Sequence, residues 1–251
     1  MNTETLDKLK RMKFHGMSRA FKAALDGGGG EDIDHSFTAD QLIAHLVNAE
    51  WDERHNRGIE VKIRNARFRY KAALEDFHYN SDRNVDKNQI MRFAECTFID
   101  KSENILITGS TGIGKSFLAS ALGHHACSKG YRVAYHNVPK LFARLKMAKA
   151  DGSYVKEVAR IERQHLLILD DFGIQPFDAS SRSILMELIE DRHGKASLII
   201  TSQIPVGKWY DVIGEQTIAD AILDRIVHDA HRLDLKGESL RRKKPQPEAA
   251  H

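Results

Sequence analysis

One segment constrains this chain more than any other. Gly109–Ser116 reads GSTGIGKS and satisfies the pattern G-x-x-x-x-G-K-[ST] at every position. An apolar run, Ile105–Ile107, precedes it, and a helical pattern starting at Phe117 follows. Strand, glycine turn and helix in that order form a cradle for phosphate. Gly109 and Gly114 allow backbone conformations that a side chain would block, so successive N–H groups can face an anion. The helix that follows adds its positive dipole end. Lys115 would reach the β- and γ-phosphates of a nucleoside triphosphate, and the Ser116 hydroxyl would bind Mg2+. The candidate nucleotide-binding set is Gly109, Ser110, Thr111, Gly112, Ile113, Gly114, Lys115, Ser116 and Phe117.

Beyond residue 100, short apolar runs alternate with helical patterns. Strands are expected near 104–108, 131–136, 165–169, 196–201 and 230–235, with helices near 114–129, 139–149, 153–163, 179–193, 206–212 and 217–228. This alternation predicts an α/β core, a five-stranded and mostly parallel sheet between helices, with its sites at the carboxyl ends of the strands. Before residue 100 only helices are expected. Residues 3–25 carry apolar side chains at helical spacing, with Gly16 expected to split them, and Gly27–Gly30 is the clearest joint. Thr38 opens a long helical pattern through Leu42, Leu46 and Trp51, and Trp51 and Trp209 are expected to be packing anchors. Residues 75–100 lose their pattern and read as a linker with a short helix near Ile90–Cys96. The expected organisation is a small all-α N-terminal domain (1–74), a linker (75–100) and the sheet domain (101–251).

Three further signals follow the glycine turn in sequence. LLILDD, Leu166–Asp171, is a buried strand with two carboxylates at its end. Asp170 would hold the Mg2+ shell, and Asp171 would orient or deprotonate the attacking water. LIITSQ, Leu198–Gln203, is another buried strand, and Gln203, or Thr201 and Ser202, would bond the water or the γ-phosphate unless they merely cap the strand. Arg225, in AILDRIVHD, could project into a neighbouring subunit's nucleotide and stabilise transition-state charge, or pair locally with Asp224 or Asp229. The catalytic candidates are therefore Lys115, Asp170, Asp171, Gln203 and Arg225, with Ser116 and Asp170 as metal ligands; Arg241 is a weaker candidate for sensing the γ-phosphate.

The order GSTGIGKS, LLILDDFG, ITSQIP, ILDRI resembles an AAA+ ATPase, and within that superfamily the helicase-loader branch and the IstB-type helper ATPases of insertion sequences. The resemblance runs along nearly the whole chain. It includes LKRMKFHGMSRAF, FTADQLIAHLVNAEWDER, KAALEDFHYN and ITSQIPVGKWYDVIG. The sequence departs from the general pattern in carrying Asp171 where many members have Glu, and Gln203 where Asn is common. About 50 residues follow the LIITSQ strand, too few for a helical lid of ordinary domain size. The resemblance implies an ATP- and Mg2+-dependent homo-oligomeric ATPase. Such a protein assembles on duplex DNA, delivers it to a cognate transposase, and uses hydrolysis to govern disassembly. The related alternative is a replicative helicase loader of the DnaC type.

Charge position, not net charge, bears on a DNA partner, because 38 basic against 35 acidic residues leave only +3. Two basic groups stand out. Arg54–Lys71 contains Glu60 as its one acidic residue. The second group holds Lys140, Arg144, Lys146, Lys149, Lys156 and Arg160, and it matches the position that related initiators and loaders place near DNA. Few aromatic residues accompany either group, which favours phosphate contacts over base stacking; a solvated helix face is the plain alternative. Composition excludes other classes. No apolar run reaches the roughly 20 residues of a membrane span, and Cys96 and Cys127 form no zinc spacing, which is consistent with a cytoplasmic protein. A metabolite kinase would need an arginine-rich lid that the sequence does not show, while a non-hydrolysing nucleotide-switched adaptor stays a further alternative, separated from a hydrolase by replacing Asp171 with Asn.

Overall fold

The computed structural model describes residues 2–27, 38–79 and 84–240. Of the expected joint Gly27–Gly30, Gly27 ends a helix and the other three glycines lie outside the described residues, as does the candidate Arg241. The chain divides into two compact units, Met1–Val61 and Lys62–His251.

The first unit is helical: α1 (Asn2–Arg11), α2 (His15–Gly27) and most of α3 (Ala39–Ala66). The break after α1 falls at Met12–Phe14, where Lys13 takes φ 61°, and not at Gly16 as expected. Gly16 lies within α2, where its role is close approach, because a Cβ there would stand 2.2 Å from the Ala49 carbonyl oxygen. The buried Glu50 carboxylate accepts from the Gly16 and Met17 N–H groups at 2.8 and 3.2 Å, closing the start of α2 onto α3. Trp51 is not the expected packing anchor. It is 72% exposed, and Ile43 and Val47 are exposed at the same four-residue spacing.

The second unit is built on five strands: β1 (Asn104–Gly109), β2 (Val133–Asn137), β3 (Leu166–Phe172), β4 (Ser197–Ser202) and β5 (Ala230–Leu235). They form one sheet of order β2-β3-β4-β1-β5, and every pairing is parallel. The helices between them are α6 (Lys115–Ser128), α7 (Val138–Asp151), α8 (Tyr154–Glu162), α9 (Ala179–Arg192), α10 (Trp209–Ile213) and α11 (Gln216–Val227). Alternate side chains serve opposite faces. Ile105, Ile107, Leu166, Ile168 and Ile199 enter the layer beneath α6. Leu106, Leu167, Leu169, Leu198 and Ile200 enter the layer shared with α7, α9 and α11.

Residues 75–100, which read as a linker, do more than connect. They include α4 (Lys87–Ala94) and α5 (Thr97–Asp100), and Phe77, Ile90, Phe93 and Phe98 fill the α6-side layer. Their pattern is faint in sequence because each short element contributes only two or three buried positions. None of the described helices is long and apolar enough to cross a membrane.

Trp209 is the anchor of the opposite layer. It is fully buried, lies 4.6 Å from the Phe172 ring and donates its indole N–H to the Ile204 carbonyl at 3.2 Å. Trp209→Ala should cost about 3–5 kcal/mol. This is read as a lower urea midpoint with an unchanged slope; a loss under about 1 kcal/mol would refute the packing role.

Candidate functional site

The carboxyl ends of β1, β3 and β4 converge on the glycine turn. Gly109, Gly112 and Gly114 take φ 136°, 84° and 102°, a region open to glycine and costly for other residues. A Cβ on Gly109 would also stand 2.3 Å from the Leu235 carbonyl oxygen, so β5 and the turn pack without room for a side chain. The Lys115 ammonium folds back to the carbonyls of Gly109 and Ser110, at 2.7 Å each. Lys115 is 7% exposed. A buried ammonium held by turn carbonyls at the N-terminus of a 14-residue helix is a setting that accepts phosphate. Ser110 and Ile113 lie within the turn, and Phe117 packs at 6.3 Å from Tyr70. Thr111 donates to Gln203 Oε1 at 2.7 Å, so Gln203 stands beside the glycine turn.

Asp170 is fully buried and accepts from four side chains on four parts of the chain. Its Oδ1 takes the hydroxyls of Ser116, at 2.6 Å, and Thr201; its Oδ2 takes Tyr135 and, at 3.2 Å, Arg69 Nη1. Burial and the Asp170 charge push the Tyr135 hydroxyl up, so it stays protonated and donates. Ser116 and Asp170, hydroxyl against carboxylate, are the donor set that suits Mg2+.

Asp171 sits on a β-bulge. Between Leu169 and Phe172 the pairing with β4 shifts register, and Asp171 takes φ 62°, in the left-handed region. In a regular strand, neighbouring side chains would point to opposite faces. The bulge instead lets one guanidinium, Arg69, reach both carboxylates, with Asp171 Oδ2 also at 3.2 Å. Asp171 further accepts from Asn137 Nδ2 at 2.8 Å, while its N–H donates to Thr201 Oγ1 at 3.2 Å. Thr201 thus ties the two aspartates to β4. Ser202 turns away and donates to the Phe172 carbonyl at 2.8 Å.

The structure brings Lys115, Ser116, Asp170, Asp171 and Gln203 together at one edge of the sheet. Arg225 stands elsewhere. Asn104, at the start of β1, donates to the Arg225 and Ile226 carbonyls at 3.4 and 3.2 Å. The glycine turn begins at the other end of β1, roughly 17 Å away at about 3.3 Å per residue. Arg225 pairs with Glu190 at 2.7 Å, and not with Asp224 or Asp229. Arg241 lies outside the described residues, although the N–H of Leu240, just before it, donates to the Gly112 carbonyl at 3.0 Å.

The basic candidates divide. Lys140 and Arg144 border a cavity of about 540 Å3 that also touches Asp171. Lys146 pairs with Asp178 at 2.6 Å, and Lys149 lies 4.6 Å over the Tyr154 ring. Arg144 and Arg160 share Glu157, at 3.6 and 3.2 Å, and Lys156 is exposed on α8. No group of three or more metal-ligating His, Cys, Asp or Glu occurs among the described residues.

Two residues of this site, Tyr135 and Asn137, are missing from the sequence reading, and a third, Arg69, reads there only as part of the basic run Arg54–Lys71. Tyr135 and Asn137 stand at the carboxyl end of β2, and the strand-end rule applied to that strand would have found them. Arg69 had no such signal, because it sits in a basic run just past a long helix. Phe68 stacks on His124 at 4.3 Å and His124 Nε2 meets the Tyr70 carbonyl at 3.2 Å, which together hold Arg69 in place.

His136, on the same strand, gives a pH signature. Burial, helped by the Arg144 and Arg67 charges, pushes it down to about 4. In the unfolded chain it would titrate near about 6.5. Between these values only the unfolded chain takes the proton, so stability present at neutral pH is lost as the pH falls. The loss should approach 1.4 kcal/mol per pH unit at most, about one proton's worth. Denaturation from about pH 7 to about pH 5 should show it in the wild type, and a His136→Gln variant should flatten it. An equal slope in both proteins would refute the assignment.

The family described as IstB-like ATP binding protein matches residues 7–248. The insertion sequence ATP-binding protein y4pL of Sinorhizobium fredii is 44% identical over 95% of this chain and 96% of its own length. The ATP-binding protein of insertion sequence IS21 of Pseudomonas aeruginosa is 31% identical over 94% and 87%. Among solved structures, the DnaC helicase loader superposes with a TM-score of 0.57, covering 66% of this chain and 98% of its own, at 22% identity. That likeness shows a shared AAA+ P-loop fold. This chain belongs to the IstB-like ATP-binding protein family.

Proposed function

We propose that the protein is an ATP hydrolase that assembles as a homo-oligomer on duplex DNA and delivers that DNA to a partner transposase. The observation that carries the hydrolase reading is the shared edge of Lys115, Ser116, Asp170 and Asp171. In this reading the turn N–H groups and Lys115 bind the β- and γ-phosphates. Ser116 and Asp170 would hold Mg2+, which supplies positive charge to the phosphate oxygens. Asp171 orients the attacking water or takes its proton, and Gln203 bonds the water or the γ-phosphate. The family, with relatives named for insertion sequences, supports the transposition context in a cytoplasmic setting. The DnaC-type fold favours, as the second reading, a replicative helicase loader.

Arg225 supports the oligomer. It is far from its own glycine turn, so any phosphate it serves belongs to a neighbouring subunit. Lys140, Arg144, Lys146, Lys149, Lys156 and Arg160 form the proposed DNA-contacting group, although the pairing of Lys146 with Asp178 weakens its part.

Lys115→Ala should abolish nucleotide binding and DNA assembly together. Asp171→Asn should cut phosphate release by roughly 10²- to 10⁴-fold while preserving ATP-dependent assembly. Arg225→Ala should lower turnover, and mixing it with the Asp171→Asn protein should restore part of it. Size analysis with and without ATP, on duplex and single-stranded DNA, reads assembly. Turnover that survives Asp171→Asn rejects the base, assembly that ignores nucleotide rejects the switch, and a preference for single strands favours the loader.

A further inference from the structure

The cavity of about 540 Å3 beside Asp171 is formed by the segment after α3, the end of β2 and the start of α7. Its wall carries four cationic side chains, Arg67, Arg69, Lys140 and Arg144, against the single carboxylate of Asp171. Arg69 is bound to Asp170 and Asp171, and Arg144 meets Glu157 at 3.6 Å. Arg67 and Lys140 have no ion-pair partner among the described residues, and both are exposed. His136, also on the wall, adds no charge near neutral pH. The site therefore offers two unspent cations and a third, Arg69, that is engaged but 42% exposed on its side chain.

We propose that this cavity takes a backbone phosphate of DNA, and that its occupancy draws Arg69 off Asp170 and Asp171, so that DNA contact and ATP hydrolysis are coupled through one guanidinium. The inference rests on the ATP-hydrolase and DNA-assembly reading above and deepens it.

The physical case is a competition for Arg69. Its Nη1 stands 3.2 Å from Asp170 Oδ2 and 3.2 Å from Asp171 Oδ2. While it stays there, the carboxylate that would serve Mg2+ and the carboxylate that would serve water both face a positive charge. That arrangement opposes a second cation at Asp170 and occupies the Asp171 oxygen that would otherwise bond the attacking water. A phosphodiester in the cavity offers Arg69 an oxygen pair that matches its planar fork. The same anion compensates Arg67 and Lys140, which the carboxylates do not. Nothing large has to move. Phe68 and Tyr70 are held against α6, by the Phe68–His124 stack at 4.3 Å and the His124–Tyr70 carbonyl contact at 3.2 Å. Only the exposed end of the Arg69 side chain need swing. Asn137 remains on Asp171 at 2.8 Å, and Ser116 and Thr201 on Asp170, so the carboxylates keep their places when the guanidinium leaves.

The test uses the full-length wild type, Arg69→Gln and Arg69→Lys, each first checked for an unchanged thermal unfolding profile. ATP turnover is measured alone and with a short duplex. Binding of a fluorescent ATP analogue is measured across a Mg2+ titration without DNA. Arg69→Gln should raise DNA-free turnover and lower the Mg2+ needed for half-saturation, each by roughly tenfold, the usual scale of coupling between sites. Its stimulation ratio by duplex should fall toward one. Arg69→Lys keeps the charge, so it should remain repressed and still respond to DNA. The double variant Arg67→Gln, Lys140→Gln should need more duplex for half-maximal stimulation, with a salt slope smaller by about 0.9 for the one lost phosphate contact.

An Arg69→Gln protein with wild-type turnover, Mg2+ dependence and stimulation ratio overturns the lock. One that binds the analogue normally but is inactive with and without DNA also overturns it, because Arg69 would then be needed for the reaction. An unchanged DNA response in the double variant overturns the cavity as the phosphate site. A wild type that binds no ATP analogue at any Mg2+ concentration would instead fail the nucleotide reading itself, and the coupling with it.

Discussion

The second unit is organised around a carboxylate that has no access to water. Burying Asp170 without partners would cost several kcal/mol, so its place in the core depends on hydrogen bonds. Four donors supply them, two to each oxygen: Ser116 from α6, Thr201 from β4, Tyr135 from β2, and Arg69 from the segment after α3. These elements are far apart in sequence, and one side chain requires them to meet. Because Ser116 begins the helix that follows the glycine turn, the same contacts fix the turn relative to β3.

The strand order then assigns separate tasks to the two edges of the sheet. β4 lies between β1 and β3, so Thr201 can bridge both aspartates while the turn after β1 reaches across to Asp170. The carboxyl edge gathers the glycine turn, Lys115 and the acidic groups. The amino edge carries Arg225, where a cavity of about 400 Å3 is also bordered by Lys101 and Arg192. Under the proposed homo-oligomeric reading, this separation would require head-to-tail association, with Arg225 of one subunit serving the nucleotide of the next.

Strain is placed where chemistry would use it. Asp171 occupies the left-handed region on a bulge, and the bulge turns a regular strand end into two carboxylates that one guanidinium can span. The Lys115 ammonium rests on the carbonyls of Gly109 and Ser110 within the turn itself.

The sequence by itself determined the five strands, the helices between them, the glycine turn and the strand-end aspartates. Each is written in local chemistry: apolar runs of strand length, glycines where only glycine fits, acids where a buried run stops. It also marked Gln203 as a site neighbour. Only the tertiary structure decided that 75–100 fills the core, that Gly16 serves close packing, that Trp51 is exposed, and that Arg69 joins the aspartates. The reason is physical. Periodicity and turn chemistry act over a few residues and can be read along the chain. The partner of a buried charge is chosen by the packing of elements about 100 residues apart, as Arg69 and Asp170 are, and no local pattern encodes that choice.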